Sequence, residues 1–282
     1  MTPAVVLALG ALLLFGLSDL VYKRAAAVGA PAGHFLMVQA WIFAPSVALY
    51  AALSGSLHAV RGALWGAAAG LFLFFGFYNF ARSLRTGSVS VNAPVFRLSF
   101  VLTAALAIAV LGEPLTAYKA AGIAFALAAA WLLLGAPQRK DSGFDLASLA
   151  RVLAATVAVG IGNFLHTLGL RAGATPGTLV AAQAAVVVSL ATAFVAAGER
   201  SVRPAREALR YAPVAAVLLA LAFVLMVEGM ARGQASVVVP IAQMGFLITA
   251  LAGFVALGER FTARKGFGIA AAVAALASLA HG

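Results

Sequence analysis

What most constrains this chain is how little of it is polar for long. Ten apolar segments follow one another almost without pause, over residues 3–22, 33–53, 63–81, 88–111, 116–134, 148–170, 176–196, 211–231, 236–257 and 262–280. A helix needs about 20 apolar residues to cross a hydrocarbon core of about 30 Å, and each segment comes close to that length. The longest polar stretch, GAPQRKDSGFD at 135–145, leaves no room for a soluble domain, so residues 1–282 are expected to form one membrane domain. Composition agrees: 64% of residues are hydrophobic and 10% charged, where a soluble chain runs near ~45–50% and ~25%. The segments are continuous rather than alternating, and rich in Ala and Leu, which argues against a β-barrel. The first segment lacks a basic leader and is read as a retained helix. The expected fold class is an all-α membrane protein with ten transmembrane helices.

The chain also repeats itself. At a constant shift of 146, residues 87–124 and 233–270 are identical at sixteen of 38 positions without a gap. Pro94 recurs as Pro240, Phe100 as Phe246, Thr103 as Thr249, and the block LGE at 111–113 recurs at 257–259. Thr116, Lys119 and Gly122 return as Thr262, Lys265 and Gly268. A weaker match at shift 144 joins Gly33 and Gln39 to Gly177 and Gln183. Alanine bias does not place Pro, Glu, Thr and Lys in register. Two five-helix repeats are therefore expected, at 1–135 and 146–282. Five is odd, so the second copy enters the membrane upside down, which makes an inverted-topology repeat of the kind found in secondary transporters.

These features resemble the drug/metabolite transporter superfamily, and within it the EamA-type exporters. The resemblance rests on ten spans in two halves and on the twin blocks GEPLTAYKAAGIA and GERFTARKGFGIA. The stretch GFYNFARSLRTGSVSVNAPVFRLSFVLT further resembles bacterial YddG-type aromatic amino acid exporters. The resemblance implies an inner-membrane efflux carrier with a substrate cavity between its halves.

Charge reports orientation. The net charge is +11, from 19 Lys+Arg against 8 Asp+Glu. In a soluble protein that excess would suggest nucleic acid, but here fourteen of the nineteen cations fall in or beside the loops after spans 1, 3, 5, 7 and 9. Only Arg61, Lys119, Arg171 and Arg232 mark the other side. The positive-inside rule then places the odd loops in the cytoplasm and both termini outside. No nucleic-acid partner is expected; the expected partners are a small-molecule substrate and the lipid bilayer, with the chain working as a monomer.

An ionisable or strongly polar side chain within a span is a candidate for function. Arg97 lies deepest, about 14 Å into the fourth span at about 1.5 Å per residue. It offers either a bidentate site for a carboxylate or an internal ion pair. Its repeat equivalent is Gln243, so the expected site is lopsided. Pro94 and Pro240 are the kink-capable, hinge-like positions of the two copies. Tyr78 and Asn79 end the third span within an aromatic run of Phe72, Phe74, Phe75, Phe77 and Phe80, which would suit an aromatic side chain. Asn163 and His166, three apart, share a helix face. Gln39 and Gln183 recur in spans 2 and 7, with Trp41 near the former. For each, cavity lining and helix–helix hydrogen bonding stay open as alternatives. Asp19 stands four before Lys23 and Glu228 four before Arg232, both spaced for ion pairs within one helix. Glu113 and Glu259 are expected to cap the following helix or to hold a loop lysine. Gly62, Gly66 and Gly70 line one face of the third span, where a neighbour can approach closely.

Other chemistries find little support. With no cysteine and no HxxxH or HxxE spacing, a metal centre is not expected, and no cofactor is implied. A lipid-modifying membrane enzyme would need clustered His, Asp and Glu at one interface; a scaffold would leave the interior polar set unused. No carboxylate is expected near mid-membrane, which favours a facilitator over a proton-coupled antiporter. The expected function is export of small amphipathic metabolites, aromatic or other apolar amino acids first among them, by alternating access. Efflux of drugs or other metabolites is the alternative.

Overall fold

The computed structural model describes residues 1–86, 92, 95–134, 146–199, 202–257 and 262–282. Eleven helices lie within these residues: α1 (Pro3–Ala27), α2 (Ala32–Leu53), α3 (Ala63–Thr86), α4 (Ser99–Leu111), α5 (Ala117–Leu134), α6 (Leu146–Arg171), α7 (Pro176–Glu199), α8 (Arg206–Arg232), α9 (Ala235–Gln243), α10 (Phe246–Leu257) and α11 (Ala263–His281). No strand occurs among the described residues. Eight helical stretches are long and apolar enough to cross a membrane, one of them running from α9 into α10. The stretches Val95–Leu111 and Ala117–Leu133 are apolar but shorter. The first of these is what is described of the fourth expected span, and the second starts only after the capping Thr116. The protein is a multi-pass helical membrane protein.

Packing is inverted relative to a soluble bundle. Large apolar groups such as Leu64, Trp131 and Phe267 point outward, while alanines fill much of the interior. In lipid no hydrophobic force drives one helix onto another, so small residues that allow close backbone approach decide the pairing. The glycine stripe of α3 meets α7: a Cβ on Gly70 would come 2.6 Å from Gln183 O, and one on Gly62 would come 2.9 Å from Ala174 Cβ just before α7. Elsewhere α3 lies along α6, α1 along α8, α5 along α11, α2 between α7 and α8, and α4 against α6 and α9. At the α5–α11 contact the two glycines alternate with two leucines. A Cβ on Gly122 would sit 2.6 Å from Leu279 Cγ, and one on Gly268 would sit 2.7 Å from Leu133 Cγ.

Two spans are broken, at corresponding points. In the ninth, α9 ends at Gln243 and α10 starts at Phe246, with i→i−3 bonds from Met244 N to Ile241 O (3.1 Å) and from Leu247 N to Met244 O (2.9 Å). In the fourth, Leu98 N bonds Val95 O and Val101 N bonds Leu98 O, both at 3.0 Å. The breaks therefore stand 146 residues apart. Each falls four residues beyond its proline; Pro240 lies inside α9, and Pro94 lies outside the described residues. Close crossings accompany both breaks. Thr249 Oγ1 donates to Gly16 O (3.4 Å) and Thr103 Oγ1 donates to Gly160 O (3.0 Å).

Of the two roles expected for the GE glutamate, the local cap is not the one it takes. Glu113 does not cap the helix that follows it. Its carboxylate accepts from the backbone N–H of Ala235 and of Ser236, each at 2.9 Å, and from Ser236 Oγ, so it caps α9 far along the chain. A carboxylate at a helix N-terminus satisfies orphan donors and meets the positive end of the helix dipole. Lys119 reaches the same place, donating to Pro114 O (2.7 Å) and to Gln234 Oε1. Capping of α5 falls instead to Thr116, which accepts from Lys119 N (3.2 Å), as Thr262 accepts from Lys265 N (3.4 Å) at α11. Glu259 lies outside the described residues.

Candidate functional site

The broken spans carry the polar centre. Arg97 precedes the break of the fourth span, and Gln243 precedes that of the ninth. Arg97 Nη1 approaches Gln243 Oε1 at 3.4 Å, while Nη2 donates to the Asp19 carboxylate of α1. Of the two alternatives for Arg97, the internal ion pair is the one formed here. Both members stay reachable, with side-chain exposures of 15% for Arg97 and 34% for Asp19. Asp19 stands about 12 Å from the C-terminal end of α1 at about 1.5 Å per residue. Asp19 thus brings a carboxylate from within α1 to the guanidinium of Arg97. One turn on, Tyr22 donates its hydroxyl to Gln39 Oε1 of α2 and packs its ring against Phe35 at 4.7 Å. Gln39 thus joins this side of the site.

A second polar group lies between α6 and α7. Asn163 and His166 are fully buried and Gln183 is 3% exposed. Gln183 lies beside the imidazole, yet Asn163 Nδ2 and Oδ1, both His166 ring nitrogens, Thr167 Oγ1 and Gln183 Oε1 find no hydrogen-bond partner among the described residues. Buried polar atoms are nearly always satisfied, by protein, water or ligand. Their spacing puts 163, 166 and 167 on one face of α6. This is a buried cluster of polar side chains.

The remaining candidates are drawn into packing. The α3 aromatics split over two faces: Phe80 stacks on Phe96 at 4.0 Å and Phe77 tilts onto it at 6.0 Å, while Tyr78 sits 4.4 Å from Phe194, with Phe74 beside it. Phe75 is exposed on the outside. The run does not form one continuous wall. Asn79 donates to Phe75 O one turn back (2.9 Å), and Tyr78 OH accepts from Arg82 Nη1 (3.0 Å). Trp41 Nε1 donates to Thr192 Oγ1 at 2.8 Å, tying α2 to α7. Glu228 pairs with Arg232 as its spacing implied, and it also accepts from Tyr50 OH. These three edge a groove of about 800 Å³ among α1, α2 and α8, whose lining does not include Arg97.

Two residues of this polar centre were not placed there by the sequence reading: Asp19, expected to pair along its own helix with Lys23, and Tyr22. The signal was present. Shift 144 carries Gln39 onto Gln183, and it also carries Asp19 onto Asn163 and Tyr22 onto His166. The residue types differ, so identity matching passes over them, although all are polar positions inside spans.

Known proteins add the following. A crystal structure of a protein superposes with a TM-score of 0.82 at 19% identity, over 99% of this chain and 98% of that one. At that identity it speaks for the fold alone. No curated protein matches. The model of the EamA-like transporter family matches twice, over residues 2–135 and 147–280. Spans, fold and both matches agree: the chain belongs to the EamA-like transporter family, of the drug/metabolite transporter superfamily, whose members are non-enzymatic carriers of small molecules across membranes.

Proposed function

We propose that the chain is an exporter of small amphipathic metabolites, aromatic or other apolar amino acids first among them, resembling the YddG-type carriers. It works by alternating access of two inverted five-span halves, 1–135 and 146–282, in a bacterial inner membrane, as a monomer with both termini outside. The observation that carries this reading is the meeting of Arg97 with Gln243. These residues are repeat equivalents, each stands before a helix break, and equivalents touch when a pseudo-two-fold passes between them. Three further pairs of contacts support the same axis: Thr103–Gly160 with Thr249–Gly16, Gly122–Leu279 with Gly268–Leu133, and α3–α6 with α1–α8. The double match of the family model also supports two copies. Broken helices at a repeat interface are where secondary transporters bind substrate, because interrupted backbone and helix ends supply polar groups there.

Drug efflux is the second reading, since cationic drugs would use a carboxylate and Asp19 supplies one. Arg97 already neutralises it, which favours a substrate without net charge. Reconstitution into liposomes tests both: labelled phenylalanine, tyrosine and a quaternary ammonium dye are offered with and without a pH gradient. Saturable amino acid flux that needs no pH gradient is the expected result. Flux of the dye alone overturns the proposal.

A further inference from the structure

We infer that Asp19 and Arg97 together form a charge-compensated reader of zwitterions, Asp19 taking the substrate ammonium and Arg97 its carboxylate. The inference rests on the amino acid export proposed above and names two residues that decide what the site accepts.

Arg97 is not a free cation waiting for an anion. Its Nη2 is held by Asp19, and its other branch reaches Gln243. A lone carboxylate arriving at Arg97 must displace Asp19 and leave that carboxylate unbalanced in a low-dielectric interior; a lone ammonium arriving at Asp19 strands Arg97 likewise. Removing one partner from a partly buried pair is costly because the other charge stays behind uncompensated. A ligand that brings both signs, on adjacent groups of one small backbone, replaces the internal pair with two external ones. No charge is stranded, and none is carried across. The exposures of 34% and 15% leave the pair open to such an exchange.

The second half of the chain shows that the pair is not there to hold helices. The positions equivalent to Asp19 and Arg97 are Asn163 and Gln243, the neutral amides of similar shape, and Thr167 replaces Lys23. Yet the same crossing is built in both halves, with threonine on glycine carbonyl in each: Thr249 on Gly16 and Thr103 on Gly160. The architecture tolerates uncharged residues at these points, so the charges of the first half answer to something other than packing. Asn163 is fully buried where Asp19 is not. The charged member of each equivalent pair is the more exposed one.

The test compares phenylalanine with two analogues that each keep one charge, 3-phenylpropionate and phenethylamine. Binding is read as ligand-dependent thermal stabilisation of the purified protein, and transport as phenylalanine uptake into liposomes. The unaltered protein is expected to bind phenylalanine at least tenfold more tightly than either analogue. Asp19→Asn should lose at least tenfold in phenylalanine uptake and turn its binding preference toward 3-phenylpropionate. Arg97→Gln should turn toward phenethylamine. The double variant Asp19→Asn/Arg97→Gln carries the amide pair that the second half already tolerates. It should stay monodisperse and as thermally stable as the parent, yet discriminate among the three ligands by less than threefold. If phenylalanine is transported and Asp19→Asn leaves that uptake within twofold, or if the parent binds either analogue as well as phenylalanine, the zwitterion reader is overturned while the export function stands. A parent that moves no amino acid overturns both.

Discussion

At the scale of single residues, burial and partnership separate side chains that hold the structure from those available for transport. Glu113 belongs to the first kind. It is 8% exposed and serves three donors at the start of α9. Glu113→Ala strands those donors in the interior, at a cost of about 2 kcal/mol. It should lower the melting temperature in detergent by several degrees, with Glu113→Gln in between; an unchanged melting curve would remove the cap from the account. His166 is proposed for the second kind. Its ring nitrogens form no full hydrogen bond among the described residues, with Gln183 only alongside, and an apolar group of similar size in place of an unsatisfied polar one is close to neutral for folding. His166→Leu should therefore keep or raise thermal stability while reducing amino acid uptake several-fold in liposomes. Loss of both together would mark His166 as a structural residue.

At the scale of helices, the small-residue stripe and the breaks govern how elements meet. A Cβ on Gly70 would fall within van der Waals overlap of the Gln183 backbone carbonyl, which has no freedom to rotate away. Gly70→Leu should separate α3 from α7 and cost about 1–3 kcal/mol from overpacking. Gly198→Leu, with nothing near its Cβ position, is the matched control. Circular dichroism melts of the two variants check this: equal melting would mean that α3 and α7 do not rely on that contact. The helices and the glycine face could be read from the sequence because hydropathy and spacing are properties of one segment. The partner of the glycine face could not, because it depends on how two segments far apart in the chain are rotated about their axes. The GE motif shows the same limit. Its local context suggested a cap for the next helix, and Thr116 takes that position, leaving Glu113 to reach α9.

At the scale of the whole molecule, the distribution of cations makes a prediction about sidedness. The chain contains no cysteine, so single introduced thiols report without background. His58→Cys, in the loop after α2, should react with an impermeant maleimide on intact cells. Val202→Cys, ahead of α8 in a cation-rich loop, should react only after the membrane is opened. The reverse pattern would turn the protein over and refute the reading of the positive-inside rule.

The sequence by itself determined the solvent of this protein, its helical class and its internal repetition. Those follow from composition and spacing along the chain: apolar segments of membrane length must satisfy their backbone internally as helices, and a repeat in register is visible wherever residue types persist. Only the tertiary structure decided the company each polar residue keeps. It brought Asp19 to Arg97 across 78 positions and Arg97 to Gln243 across 146. It sent Glu113 to α9, and it divided one aromatic run between two faces. The physical reason is common to all four. A side chain's partner is set by the rotation and depth of whole helices, which the sum of many weak interhelical contacts fixes and no local pattern encodes.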